Sequence, residues 1–431
     1  MTCEIAIMNQ SAVTLAADSA MTVTRWVNGE QQTRYFKGSN KIFQISNHHP
    51  VGLMVYGAAG VQSVPWELIV KEFRSHLTNM SHPALKDYAE ALFDYIRQHP
   101  AFFPPARRGE LFIKEVANTG LAILFRMATN LHLDAAPVND ADQEKEIENY
   151  LNAEMAAMVA EPLPKIFPQD VDTKAFATHN AEVTARIALA INSVKDSQQI
   201  HADWIIDGAL LGKLSVLTLF RKYSKLLSPS GLVIAGFGAM DLYPGYHEYT
   251  CYGFLLDDFI SDEISKEAIT LDQTSAIKAF ATTAMVDTFV LGFSEDVYML
   301  AMQQYEIGVK GLLEGVRKEL GIPAINNIDE LINNAINAYQ KAWTGAVVDN
   351  HLKPLREVVA SLPIDDMANL AETLIMLQSL KEKVTSPTES VGGPIDVAVI
   401  TKHEGLIWIK RKHYFDPAKN PRYFVRQKSN D

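Results

Sequence analysis

The sequence predicts an α+β protein in which strands from three separate stretches form one sandwich and helices pack outside it. Three observations lead there. Short strand-like runs crowd the first sixty residues, strand character returns at 231–256 and 395–412, and long amphipathic helical blocks fill both intervals. That alternation of whole blocks marks a layered α+β domain and not a parallel βαβ array, whose strands and helices would alternate singly.

The elements follow in order. CEIAIM, AVTLAAD, TVTRWV, QQTRYF, KIFQIS and VGLMVYG are rich in Val, Ile, Thr and aromatics and are separated by turn residues. Asn28-Gly29 tolerates the positive φ of a tight hairpin, so the chain is expected to open as an antiparallel meander. In SVPWELIVKEFRSHL (63–77), Trp66, Ile69, Val70, Phe73 and Leu77 recur at helical spacing, with Pro65 near the first turn. Helical patterning continues over 84–97, 111–128, 143–160, 178–192 and 207–227, with PAFFPPARRG (100–109) as a rigid connector. Strands are expected at GLVIAGFG (231–238) and EYTCYGFLL (248–256). A second helical block is expected over roughly 274–383, broken near Gly321-Ile322-Pro323. IDVAVITK (395–402) and GLIWIKRK (405–412) close the pattern, with His403-Glu404 at their turn.

Bulk properties remove several classes of function. At 431 residues the chain is two domains or one domain with large insertions. With 48% hydrophobic and 21% charged residues and no apolar run of bilayer length, a membrane-embedded protein is not expected. The N-terminus lacks a basic region and carries Glu4, Asn9 and Gln10 within its apolar stretch, so export is not expected and the localisation is expected to be cytoplasmic. A net charge of −12 repels phosphate backbones and anionic lipid, so nucleic acid and membrane are not expected partners. The basic tail over 410–428 reads as a solvated terminal segment. Cys3 and Cys251, both among strand-like residues, read as buried thiols of a reducing compartment.

Motif chemistry is mostly absent. No HExxH, GxSxG or paired CxxC occurs, which leaves zinc-hydrolase and serine-elbow readings without support, and no metal or cofactor is expected. GALLGKLS (208–215) has one residue too few between its glycines for a phosphate loop and Leu214 where a magnesium-binding hydroxyl belongs. It reads as a helix with small packing residues. His48-His49 beside Pro50 reads as an exposed turn.

The remaining chemical feature is Thr2, directly behind Met1. A small second residue is what methionine aminopeptidases accept, so Thr2 can become an N-terminus with a free α-amine. A threonine hydroxyl is a weak nucleophile that needs a base with a pKa near the working pH. An α-amine, at about 7.7–8.0, is close to that, and a neighbouring ammonium lowers it further.

MTCEIAIMNQSAVTLAADSA, then GSNKIFQIS and LMVYGAAG before a helix, resembles the opening of a proteasome β-type subunit, a family of N-terminal nucleophile (Ntn) hydrolases. GLVIAGFG with EYTCYGFLL is similar to the central strand pair of such subunits, and SVGGPIDVAVITKHEGLIWIK to their closing strands. The resemblance implies a four-layer αββα sandwich and a threonine-type peptidase. It maps the nucleophile to Thr2, the supporting ion pair to Asp18 and Lys41, and the oxyanion-binding backbone to Gly57. It also places Ser19, Met21, Val55 and Ala59 around the substrate, with an apolar or small side chain preferred before the scissile bond.

Three features depart from the family pattern. The interval from Asp18 to Lys41 is lengthened by the Asn28-Gly29 hairpin, and the supporting Gly-Ser-Gly turn is replaced by AFATTAMVD (279–287), offering Thr282 or Thr283. Ser390, in PTESVGG, stands one residue out of step for the second supporting hydroxyl. The expected organisation is a single domain over 2–431, with core segments 2–80, 228–295 and 365–412 and helical insertions over about 80–227 and 296–365. Expected partners are peptide or unfolded protein, further copies of the chain in a ring, and an unfoldase of unknown identity. The alternatives are a non-peptidase Ntn amidohydrolase and an inactive scaffold subunit; a binding module has no recognition motif behind it.

Overall fold

Alternation in the first strand defines both faces of the sheet built on it. β1 (Cys3–Asn9) is buried along its whole length. Ala6 and Met8 enter one apolar cluster, and Cys3, Ile5 and Ile7 enter another on the opposite face. The computed structural model describes residues 2–27, 30–135, 140–321, 327–385, 391–423 and 425, and the protein is α+β with antiparallel sheets.

After β1 come β2 (Ala12–Ala17), β3 (Ala20–Val27), β4 (Glu30–Lys37), β5 (Ile42–Gln44), β6 (Val51–Gly57), β7 (Gly60–Val61) and β8 (Val64–Pro65). The helices α1 (Trp66–Leu77), α2 (Leu85–Gln98), α3 (Pro105–Leu131), α4 (Asp140–Ala160), α5 (Val171–Asp196) and α6 (Gly208–Leu226) follow. Then come β9 (Ser230–Gly236), β10 (Gly245–Leu255), β11 (Asp258–Ala268) and β12 (Ser275–Ala281). The chain continues through α7 (Ala284–Leu291), α8 (Glu295–Glu319), α9 (Ile328–Val347), a π-helical turn (Val348–Leu352), α10 (Lys353–Ser361) and α11 (Ile364–Thr385) to β13 (Asp396–Thr401) and β14 (Gly405–Lys410).

Two five-stranded sheets carry the fold, in orders β12-β1-β2-β13-β14 and β11-β10-β9-β6-β5. A shared cluster joins them: Leu15 and Ile400 of the first pack with Met54 and Val233 of the second. The outer face of the first sheet packs on α7, α10 and α11 through Val286, Val359 and Ala371. That of the second packs on α1 and α2 through Trp66, Phe73 and Leu92.

Two expectations are corrected. The opening strands are not one meander: β1-β2 belongs to the first sheet, β3-β4 is a separate ribbon, and β5-β6 belongs to the second sheet. The break falls at Asp18-Ser19, where side-chain hydrogen bonds capture the backbone that would otherwise continue the ladder. β3 and β4 place Val27 opposite Glu30, as the hairpin signal requires, while Asn28 and Gly29 themselves lie outside the described residues. The second helical block begins only at Ala284, because 275–281 is β12, paired with β1 along its whole length from Cys3 opposite Ala281 to Asn9 opposite Ser275. β11 went unread because it is a charged edge strand, with Asp258, Asp262, Glu263, Lys266 and Glu267 among its residues.

The first long helical stretch divides in two. α2 belongs to the layer on the second sheet, whereas α3 to α6 share their own core through Phe112, Ile187, Leu214 and Phe220. Gly212 of GALLGKLS sits against Val183, where a Cβ would approach to 2.9 Å, so its glycine serves close packing. Asp207 caps α6 by accepting from the N–H groups of Ala209 and Leu210, and a partly buried Arg221–Asp172 ion pair ties α6 to α5. α8 has no buried residue and α9 only Ile332.

Gly231 of β9 lies directly under the Tyr56 ring of β6, where a Cβ would come within 2.0 Å of it. Gly231→Val is therefore expected to destabilise the fold by about 1–3 kcal/mol, read as a lower denaturation midpoint at unchanged m-value.

Candidate active site

The site is organised around Asp18, which is fully buried just beyond β2. Its Oδ1 accepts from the Cys3 N–H at 3.1 Å, and its Oδ2 accepts from the N–H groups of Ala20 at 3.1 Å and Gly392 at 2.8 Å. Lys41, buried ahead of β5, completes the set through an ion pair to Oδ1. One carboxylate thus joins the start of β1, the start of β3, the turn before β13 and the lysine. Gly392 and Gly393 make that turn with φ of 150° and 84°, conformations that glycine adopts without a Cβ penalty.

Thr2 stands at the entrance to β1, 8% exposed, and its carbonyl accepts from the Thr282 N–H at 3.0 Å. Its hydroxyl donates to Glu4 Oε2 at 3.2 Å. Thr2 and Glu4 meet because residues two apart on a strand share a face. Glu4 is completely buried, and its Oε1 lies 3.2 Å from Lys41 Nζ without hydrogen-bond geometry. Two carboxylates therefore share one ammonium. Burial pushes the Glu4 carboxyl from its ordinary 4.5 up to about 7, against the opposing pull of Lys41 and with a further upward push from Asp18.

Above this cluster a cavity of about 510 Å³ is lined by Thr2, Lys41 and Gly57. Gly57 ends β6 with φ 73°, in the left-handed region. Met21, Val55 and Ala59 form part of the wall, as do further residues at the start of β3. The wall after Gly57 is pinned: Trp66 N–H donates to Ala59 O at 3.1 Å, and Gln62 exchanges two hydrogen bonds with the backbone of Phe254.

The residues singled out from sequence divide accordingly. Thr2, Lys41, Gly57, Met21, Val55 and Ala59 converge on one cavity, with Asp18 beneath. Ser19 is corrected: it is fully buried and its hydroxyl donates to Pro394 O, so it builds the junction with the Gly392-Gly393 turn and does not face the cavity. Thr282 meets Thr2 through its backbone N–H, and Thr283 precedes α7 without capping it through its side chain. Ser390 lies outside the described residues. Both cysteines are free and buried, and burial raises the Cys3 thiol well above its ordinary range, with Glu4 and Asp18 adding to the effect. That leaves the neighbour of Thr2 as an uncharged thiol, not a thiolate. Among the described residues, no cluster of His, Cys, Asp and Glu is disposed to hold a metal.

Glu4 is the site residue that sequence reasoning passed over. Its signal was present: in CEIAIMN it occupies the same face as Ala6 and Met8, a charged side chain at a position aimed into the core between the sheets. No protein-family model matches this chain, and no curated protein matches it.

The Glu4 environment also has a thermodynamic consequence. The folded protein holds the Glu4 proton more tightly than the unfolded chain does, so its contribution to stability is fully present below pH about 4.5 and is lost as pH rises to about 7. The loss is on the order of 3 kcal/mol. Glu4→Gln removes it, so the melting temperature of the variant relative to the parent should rise more at pH 8 than at pH 5. An equal difference at both pH values would contradict the raised carboxyl.

Proposed function

We propose that this protein is a threonine-type amide hydrolase of the Ntn class, with Thr2 as nucleophile once whatever precedes it has been removed. The observation that carries this reading is the convergence of Thr2, Lys41 and Gly57 on one cavity, with Lys41 locked from behind by a fully buried Asp18. A merely structural ion pair would not need to open beside a hydroxyl. On this reading the facing sheets, with helices on each outer side, are the four-layer αββα sandwich, and α3 to α6 and α8 to α9 are insertions upon it.

The Thr2 hydroxyl attacks the carbonyl of the substrate. The freed α-amine of Thr2 accepts the proton, directly or through water. Lys41 supplies positive charge that keeps the amine basic form populated and stabilises the growing negative charge. The Gly57 N–H donates to the oxyanion, an effect typically worth about 3–4 kcal/mol. An acyl-enzyme forms, and water releases it.

Peptides are favoured over small amides because the first residues of β3 line the cavity, offering an extended backbone along which a substrate can lie as an added strand. Met21, Val55 and Ala59 make the adjoining wall apolar, which suits an apolar or small side chain before the scissile bond. No helix of the described residues is long and apolar enough to cross a membrane. Self-assembly, as a ring, fits the single chain's exposed apolar side chains on α8, among them Leu300, Ile307 and Leu312.

Intact mass measured with and without a peptide β-lactone tests the nucleophile. The expected result is a mature chain beginning at Thr2 that gains one acyl group, while Thr2→Ala gains none. Acylation of Thr2→Ala, or a protein that keeps residues ahead of Thr2 and gains nothing, would remove the reading. Native mass spectrometry should show a closed oligomer, and monomers alone at micromolar concentration would remove the ring.

A further inference from the structure

We propose that Glu4 is a second catalytic residue of this site, the group that receives the Thr2 hydroxyl proton during attack and returns it to the leaving amine. The inference rests on the reading of Thr2 as nucleophile and goes beyond it, since that reading assigns the proton to the α-amine.

The geometry favours Glu4 on three counts. The only side-chain partner that the Thr2 hydroxyl has among the described residues is Glu4 Oε2, at 3.2 Å, with the hydroxyl as donor. That is the direction in which the proton must leave. The carboxylate is 0% exposed, so bulk water does not compete for it. Its other oxygen has no hydrogen-bond partner and has only the Lys41 ammonium at 3.2 Å beside it.

A purely structural role explains this poorly. Lys41 is already neutralised by Asp18, which in turn is saturated by three backbone N–H groups. Glu4 is the surplus charge. Burying a carboxylate with one hydrogen bond and a share of an ammonium already paired to Asp18 costs folding free energy, and a cost of that kind persists where chemistry uses it.

The groups facing Glu4 are Thr2 on its own strand, Asp18 beyond β2, Lys41 ahead of β5 and Tyr56 on β6. Tyr56 is not a competing base or acid near neutrality: its hydroxyl donates to Glu248 at 2.6 Å, and burial drives its ionisation far above the ordinary range. The cross-strand neighbours of Glu4, Ala17 and Phe280, carry no charge. With Thr2 still joined to its preceding residue, burial raises Glu4 to about 7; the freed α-amine titrates with it as a pair and favours the carboxylate, the form that can accept the Thr2 proton near neutral pH.

The step balances. As the Thr2 Oγ1–carbon bond forms, the Oγ1–H bond breaks, the proton passes to Glu4 Oε2 and the carbonyl π pair moves onto oxygen beneath the Gly57 N–H. When the tetrahedral adduct collapses, the carbon–nitrogen bond breaks and the Glu4 proton goes to the departing amine. Glu4, again a carboxylate, then takes a proton from the water that attacks the ester and returns it to Oγ1.

The test is the rate of Thr2 acylation by a peptide β-lactone between pH 5 and 9, followed by intact mass, for the parent chain, Glu4→Gln and Glu4→Asp. The parent rate should rise with pH through an inflection to which Glu4 contributes, because the carboxylate is the active form. Glu4→Gln, which keeps an acceptor but not a base, should acylate about 10²–10³-fold more slowly and shift that inflection, since only the α-amine is left to titrate. Glu4→Asp should keep an inflection at a reduced rate, which guards against a glutamine variant that fails to fold. A Glu4→Gln protein that acylates within threefold of the parent, with the same pH profile, would overturn Glu4 while leaving Thr2 as nucleophile with its amine as base. No acylation of the parent itself would remove the nucleophile reading, and the Glu4 assignment with it.

Discussion

The buried carboxylate of Asp18 is the constraint on which the site depends. It receives four donors from four places in the chain: the N–H groups of Cys3, Ala20 and Gly392 and the ammonium of Lys41. An ionised group in the interior persists only when its acceptor sites are filled, and here filling them forces separate segments together. The same bonds that satisfy Asp18 end the first sheet, start the β3-β4 ribbon and seat the Gly392-Gly393 turn. Position of the lysine is then a consequence of folding. Removing any one donor leaves a partly desolvated carboxylate, so tolerance to change in this region should be low although much of it is loop.

The fold class was legible because its cause is local. Strand runs such as CEIAIM and AVTLAAD, the helical spacing of Trp66, Ile69, Val70, Phe73 and Leu77, and the Gly-Gly turn each carry their own signal, and each appears where that signal placed it. What failed was pairing. β12 looked like the start of a helix, since a short apolar run such as SAIKAFA fits either period and only its partner β1 decides. β11 went unread, since an edge strand presents a polar face to water and needs no apolar alternation. The meander failed for a related reason: nothing in the spacing of the opening strands announces that Asp18 will withdraw the backbone from one sheet and send it toward another.

The candidate site was legible as an ordered set of residue types, and illegible in its charge balance. Thr2, Lys41, Gly57, Met21, Val55 and Ala59 do line one cavity. Ser19 does not, because its hydroxyl has a nearer carbonyl to satisfy at Pro394. Glu4 was read as a polar interruption of an apolar stretch. Parity would have corrected that: a residue two positions from Thr2, on the face that carries Ala6 and Met8, has only the space between the sheets to occupy.

On the proposed reading of Thr2 as nucleophile, charge balance also links exposure of its α-amine to the proposed chemistry. With Thr2 still joined to a preceding residue, the buried set is Asp18, Glu4 and Lys41, one negative charge in excess when Glu4 is ionised. Glu4 relieves that excess by holding a proton up to about pH 7. Freeing the α-amine would add a second cation on the residue whose hydroxyl already donates to the same carboxylate. Each group would then favour the charged form of the other, and amine and carboxylate would titrate as a pair whose macroscopic pKa values belong to neither alone. A site with a surplus buried anion gains stability from acquiring that ammonium, whereas a site holding only Asp18 and Lys41 would be penalised by it. Glu4 therefore gives the folded chain an electrostatic reason to accept a new N-terminus at Thr2.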